Sequence, residues 1–242
     1  MASRIQLCGR VVAEVDGRRI EDALPGRQGR LLFVYLVATR LRPASRDELV
    51  DAIWPDTPPT NVDSALSSLL SKLRKLVPIE GRSELRIVLP DDAWVDLEAA
   101  TEALHRAESA VGRGVPIEAW APARVAQHIA VRGFLPGESS PWIDEIRQRL
   151  EGIYLRSLEL VCQASLELGG GELDTAERGA RALVEKAPYR ETGHRFLMEL
   201  LERRGNRAEA LHVYEQLRQL LRDELGTAPS PATQELHRRL LG

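Results

Sequence analysis

The feature that most constrains this chain is a self-similarity at a spacing of 34 residues in its second half. That shift lays Gly171 on Gly205, Ala176 on Ala210, Leu183 on Leu217 and Leu166 on Leu200. Thirty-four residues is one tetratricopeptide-like helix pair, in which a small residue lets two helices approach and leucines fill the space between them. One pair cannot bury its own apolar face, so such pairs must stack. The flanking pattern agrees. A long helix opens at Ser140-Pro141, an N-cap followed by proline at the first helical position, and runs to Gly169-Gly170-Gly171. Asn206 with Glu209 reads as a capping box, and Ser230-Pro231 starts a terminal helix that ends near Leu241. Strand signals vanish from about Asp96 onward, so residues 96–242 are expected to form an all-α, tetratricopeptide-like domain.

The first 95 residues mix strand and helix signals. Ile5 to Val15 alternates loosely, Asp16-Gly17 is a two-residue hairpin turn, and Arg18-Arg19-Ile20 returns. The apolar run Leu31 to Ala38 could be helix or buried strand by periodicity alone and is read as helix. Ser45 with Glu48 forms a capping box that opens a short helix, stopped by Trp54-Pro55. Asp56-Thr57-Pro58-Pro59 is a loop, after which Thr60 with Asp63 offers a cap for the next helix. Gly81-Arg82-Ser83-Glu84 leads into Leu85 to Leu89 and then Trp94-Val95, read as a hairpin in the position of a wing. The expected fold is therefore mainly α: an N-terminal winged helix of α+β type over 1–95, followed by the all-α domain.

The segment Asn61 to Val77 is the most informative for function. At about 100° per residue, Val62, Ala65, Leu66, Leu69, Leu70, Leu73, Leu76 and Val77 share one arc. The other face presents Asn61, Ser64, Ser67, Ser68, Ser71, Lys72, Arg74 and Lys75, and no acidic residue occurs from Ser64 to Ile79. A solvated amphipathic helix is the commoner source of such a pattern. Four serines nevertheless sacrifice about half a kcal/mol each of helix propensity relative to alanine. Small hydroxyls allow close approach to base edges and phosphates and hydrogen-bond either. A short capped helix, a proline-rich loop and this helix make a helix-turn-helix with a long turn, and Arg82 and Arg86 on the wing become candidate minor-groove or phosphate contacts.

Bulk charge does not advertise nucleic acid. The net charge is −3, and the first 95 residues hold 14 basic against 13 acidic side chains, so any positive surface must be local. Cys8 and Cys162 lie far apart in apolar contexts and read as buried thiols. The five histidines form no metal-ligand spacing, no nucleophile elbow occurs, and the triple glycine lacks the Lys-Ser/Thr of a phosphate loop. No catalytic residue, metal site or cofactor is expected. The N-terminus runs straight into a strand-like pattern and no stretch of eighteen apolar residues exists, so a cytoplasmic location is expected.

Several blocks resemble a known family. Leu24 to Leu32 (LPGRQGRLL), Asp47 to Pro55 (DELVDAIWP) and Ala65-Leu66 through Ser71 to Leu76 (SKLRKL) are similar to the response-regulator-type winged helix of the Streptomyces antibiotic regulatory protein family. Pro188 to Glu191, Leu197-Met198, Gly205 to Leu211 with Tyr214, and Glu224 to Pro231 resemble its partner, the bacterial transcriptional activation domain. The resemblance implies a non-enzymatic activator of transcription on double-stranded DNA. It implies that the helix 61–77 enters the major groove, that copies bind direct repeats side by side as a dimer, and that the complex recruits RNA polymerase. The loop Trp54 to Thr60, with Asp56 and Thr57, would face polymerase. Arg27 and Arg30, in the first block, join the helix and wing residues as DNA-binding candidates. The chain departs from the family at Glu84-Leu85, where an aromatic and a second glycine are usual, and in a helix poorer in arginine. Two other readings stay open: a tetratricopeptide-like protein-interaction module, and the N-terminal portion of a larger multidomain regulator with weak DNA binding.

Overall fold

The computed structural model describes residues 3–242. Met1 and Ala2, at the head of the stretch read as running into a strand, lie outside the described residues. In order, the chain forms β1 (Arg4–Gln6), β2 (Val12–Val15), β3 (Arg18–Arg19), α1 (Gly26–Ala38), β4 (Ala44–Ser45), α2 (Arg46–Ile53), α3 (Val62–Leu73), β5 (Ile79–Glu80), β6 (Glu84–Ile87) and β7 (Trp94–Val95). There follow α4 (Asp96–Gly112), α5 (Trp120–Ala130), α6 (Pro141–Leu168), α7 (Glu172–Lys186), α8 (Glu191–Arg203), α9 (Arg207–Leu225) and α10 (Pro231–Leu241). The fold is mainly α, with strands confined to the N-terminal winged helix.

Two compact units divide the chain: residues up to 99 with 132–150, and 100–131 with 151–242. The sequence reading closed the N-terminal domain at 95. Residues 132–150 join that first unit because they are fastened to it at several points. Gly9 N–H donates to the Gly133 carbonyl at 2.7 Å, and Cys8 bridges to Phe134. The Trp142 ring meets Tyr35 edge-on at 5.1 Å and Phe134 at 5.7 Å, while its indole N–H donates to the Ala52 carbonyl at 3.1 Å.

In the first unit a four-stranded sheet runs β3-β2-β1-β7, and a three-stranded sheet runs β4-β6-β5. The loose alternation over Ile5 to Val15 resolves into two antiparallel strands, with Ile5 opposite Ala13. Asp16 and Gly17 both take positive φ, 51° and 77°, as a two-residue hairpin turn requires. The run Leu31 to Ala38 is helical, and Leu32, Phe33, Val34, Leu36 and Val37 are buried, which explains why its periodicity was weak. Trp94-Val95 does not belong to the wing. Those residues form β7, parallel to β1 in the other sheet, and the wing hairpin is β5–β6 around Gly81 to Ser83.

Asp96 locks this arrangement from the inside. Its two carboxylate oxygens accept the N–H groups of Leu7 and Cys8, each at 2.9 Å, in a fully buried site. Burial raises the Asp96 carboxyl, and the hydrogen bonds from Leu7 and Cys8 oppose that rise. The neighbouring Cys8 thiol is pushed up by burial and then by the Asp96 charge, and burial pushes the Cys162 thiol up to about 12. Both cysteines are buried and free, as read.

In the second unit α7 packs on α8 and α8 on α9, around a core that includes Leu158, Cys162, Leu183, Met198, Leu201 and Tyr214. The positions matched at 34 residues take equivalent places: Ala176 with Ala210 and Leu183 with Leu217 are fully buried. Close approach is real. A Cβ on Gly193 would lie 2.8 Å from the Leu183 Cβ, and one on Gly179 would lie 3.0 Å from the Cys162 sulfur. Three expected caps differ. The Asn206 side chain makes no capping bond, and Glu209 instead pairs with Arg181 at 3.0 Å. Ser140 does not cap with its hydroxyl, which is buried without a partner among the described residues. At α10 the cap comes from a distant residue: the Glu191 carboxylate accepts the Ser230 N–H at 2.9 Å and both the Ser230 and Thr233 hydroxyls. A carboxylate at a helix N-terminus is favoured by the macrodipole as well as by the bonds.

Candidate nucleic-acid interface

Helix α3 is shorter than the 61–77 read from periodicity. It begins after Asn61, whose side-chain oxygen accepts the Ser64 N–H at 3.0 Å, so Asn61 is the cap in place of Thr60 with Asp63. It ends at Leu73. Lys75 N–H then bonds the Lys72 carbonyl at 3.3 Å and Leu76 N–H the Leu73 carbonyl at 2.9 Å, a tighter three-residue pattern that finishes the turn before Pro78. The apolar arc behaves as expected: Leu66, Leu70 and Leu73 are buried, worth about 2 kcal/mol each by area removed from water. The polar face is exposed at Ser64, Ser67, Ser68, Ser71, Lys72 and Lys75.

The candidates do not share one state. Ser67 is engaged by Arg46 at the start of α2, whose guanidinium donates to the Ser67 hydroxyl at 3.0 Å and to the Asp63 carbonyl at 3.4 Å. Arg74 donates to the Ile79 carbonyl at 3.2 Å and the Gly81 carbonyl at 2.8 Å, across to the wing. Arg27 and Arg30 both face Glu138, at 2.6 and 3.5 Å. On β6, Arg86 lies 3.6 Å from Glu80, with both side chains more than half exposed, so this pair holds it weakly. Among the described residues, Lys72, Lys75 and Arg82 make no ion pair, and the hydroxyls of Ser64, Ser68 and Ser71 make no hydrogen bond. The geometry thus leaves three cations available on α3 and the wing tip, and three hydroxyls on α3.

Sequence reasoning missed Arg46 altogether, because its partner lies 17 to 21 residues on and nothing local marks it. The Asn61 cap was legible: asparagine stands among the best N-cap residues and immediately precedes Val62, the first apolar residue of the arc. In the loop between α2 and α3, Trp54 is half-buried as the C-cap of α2, and Asp56, Thr57 and Thr60 are exposed. Among the described residues no group of three or more His, Cys, Asp or Glu could hold a metal ion, and no helix is long and apolar enough to cross a membrane.

Residues 95–241 match the bacterial transcriptional activator domain family. The chain is 33% identical to the regulatory protein AfsR of Streptomyces coelicolor over 99% of its own length and 24% of that protein. It is 27% identical to the transcriptional regulatory protein EmbR of Mycobacterium tuberculosis over 97% of its own length and 62% of that protein. It therefore spans about a quarter of AfsR and under two thirds of EmbR. The solved structure of M. tuberculosis EmbR in complex with a low-affinity phosphopeptide superposes with a TM-score of 0.79 at 22% identity, covering 99% of this chain and 65% of that one. That likeness establishes the fold of a winged helix followed by a helical module. With a bacterial transcriptional activator domain over 95–241 behind a winged helix-turn-helix, the chain belongs to the Streptomyces antibiotic regulatory protein family.

Proposed function

We propose that this protein is a sequence-specific, DNA-binding activator of transcription that acts in the cytoplasm and carries no catalytic chemistry. Helix α3 enters the major groove of promoter direct repeats, with Ser64, Ser68 and Ser71 meeting base edges or phosphates and Lys72 and Lys75 meeting phosphates. Arg82 at the wing tip, with Arg86 behind it, reaches the adjacent minor groove or backbone. Copies sit side by side on successive repeats, and the exposed loop of Asp56, Thr57 and Thr60 beside Trp54 faces RNA polymerase. The functional division follows the sequence reading: a DNA-binding domain over 1–95 and an activation domain over 96–242, tetratricopeptide-like, which presents helix surfaces to protein partners.

The observation that carries this reading is the unpaired polar face of α3. A helix that buries three leucines on one side exposes, on the other, cations without counter-charges and hydroxyls without partners. Phosphate and base-edge acceptors supply both. Genomic-fragment selection with the purified protein tests the proposal: an enriched direct repeat is expected, and recovery of fragments in proportion to their abundance, at low and moderate salt alike, overturns it.

A further inference from the structure

The sequence places Arg74 among the DNA-binding candidates, but its side chain is spent elsewhere. It stands at the C-cap of α3, where the helix has ended and two backbone segments must separate cleanly into recognition helix and wing. From there its Nε donates to the Ile79 carbonyl and one terminal nitrogen to the Gly81 carbonyl. These acceptors bracket β5, the first wing strand. Gly81 is the point at which the hairpin turns: its φ is +90°, and a Cβ there would lie 1.7 Å from the Glu84 carbonyl oxygen, so the turn admits glycine alone. Beyond it comes Arg82, exposed and without an ion pair. The ladder that holds β5 to β6 is short, with Ile79 opposite Ile87 and Glu80 opposite Arg86. β6 is held on its other side by β4, at Leu85 and Glu84, so the edge strand β5 and the turn at its end are what this short ladder leaves least held.

We infer that Arg74 is a positioning residue that clamps the wing to the recognition helix and thereby sets where Arg82 meets DNA. This rests on the reading of α3 and the wing as the DNA-binding surface. The planar guanidinium suits the task, because two N–H groups fixed in one plane reach two carbonyls two residues apart, which a single ammonium cannot do as well. The charge also sits at the negative end of the α3 dipole, where it is favoured without any counter-ion. Arg82 supplies the charge for the contact, and Arg74 supplies its direction.

The clamp has a signature in the free protein and another on DNA. In hydrogen–deuterium exchange without DNA, Arg74→Ala and Arg74→Lys should both raise exchange over residues 79–86 while the helical unit stays at the wild-type level. Unchanged exchange over 79–86 in both variants overturns the clamp, whatever the protein binds. On DNA, Arg82→Ala should cost affinity in the wild-type background and at least about threefold less in the Arg74→Ala background, because an undirected wing has already lost that contact. The salt slopes of Arg74→Lys and Arg74→Ala should fall together, by no more than Arg82→Ala lowers the wild-type slope, and the affinity of Arg74→Lys should fall toward that of Arg74→Ala. Additive losses of affinity and of salt slope for Arg74 and Arg82, with full rescue by lysine, would make Arg74 an ordinary phosphate contact. If Lys72→Ala and Lys75→Ala leave DNA retention untouched at every salt concentration, the DNA-binding reading fails, and the exchange experiment alone then decides the clamp.

Discussion

The exposed face of α3 and the arginines of the helical unit treat positive charge in opposite ways. Every arginine of the helical unit finds an acceptor: Arg156 bridges Glu108 and Glu159, Arg181 bridges Glu177 and Glu209, and Arg204 bridges Asp174 and Glu177. Arginines without a carboxylate there donate to carbonyls or hydroxyls instead, as Arg203 does to Leu166 and Arg195 to Thr233. On α3 and the wing tip, Lys72, Lys75 and Arg82 have no such partner. A cation already matched must give up its acid before it can bind a phosphate, and that exchange gains little. An unmatched cation releases only salt and water. Net charge therefore says little about this protein. An overall −3 is compatible with a DNA-binding surface because acids of the helical unit are taken up by its own arginines while the α3 face from Ser64 to Ile79 carries no acid.

If the two regions differ in this way, damage to the helical unit should appear as lost stability with DNA affinity retained, and damage to α3 as the reverse. The largest effect is expected at Gly193, where α7 and α8 meet. Gly193→Leu forces atoms into the Leu183 side chain and the Val184 backbone, and about 3 kcal/mol of stability should be lost in chemical denaturation. Next is Glu191→Ala. Three acceptor contacts that tie α10 to α8 disappear and leave the first turn of α10 uncapped, for a loss of about 2 kcal/mol. In both variants the protein, folded below its melting temperature, should shift the same DNA at the same concentration. Loss of DNA binding in step with stability would erase the distinction between the regions.

Glu191 also gives the comparison a pH dependence. Burial pushes its carboxyl up, but hydrogen bonds from Thr233 and Ser230 outweigh burial and hold it below the ordinary carboxylate range. A depressed folded value means that the stabilisation is fully present above the ordinary range and is lost as pH falls through the lower, folded value. Melting curves should show wild type ahead of Glu191→Gln at neutral pH, with the gap closing in acid. A gap that widens in acid would reverse the assigned sign.

Much of this contrast was legible in the sequence, and the reason it was not fully so is physical. The serine-rich face, the buried leucines of α3 and the 34-residue register of Ala176 with Ala210 are local periodicities, and they survive into the structure. The partners of Arg27, Arg30, Arg46 and Arg74 are tertiary or cross a turn, so nothing local separated Arg27, Arg30 and Arg74 from Lys75, or marked Arg46 at all. The same limit misplaced the last strand assigned to the wing. Trp94-Val95 looks like a hairpin strand in sequence and pairs with β1 instead, and Phe134 and Trp142 lie far along the chain from the residues they seal.

The smallest effects are expected at the serines. Ser64→Ala and Ser68→Ala should hold stability or raise it by up to about 0.5 kcal/mol each, since alanine is the better helix former. Either should weaken binding to the preferred site by about 1–3 kcal/mol if its hydroxyl reads a base edge, with scrambled duplex unaffected. Lower stability in these variants would mean that the face packs against something within the protein.

The central claim, that DNA is gripped by the unmatched cations and not by the matched ones, is tested most directly by the salt dependence of duplex affinity. Lys72→Ala and Lys75→Ala are compared with Arg218→Ala and Arg222→Ala, whose arginines pair with Glu215 and Asp223 on the exposed surface of α9. The slope of log affinity against log salt should fall by about one unit for each α3 lysine removed and stay at the wild-type value for each α9 arginine. Equal slopes in all four variants, or a slope that falls only for the α9 pair, would contradict the account.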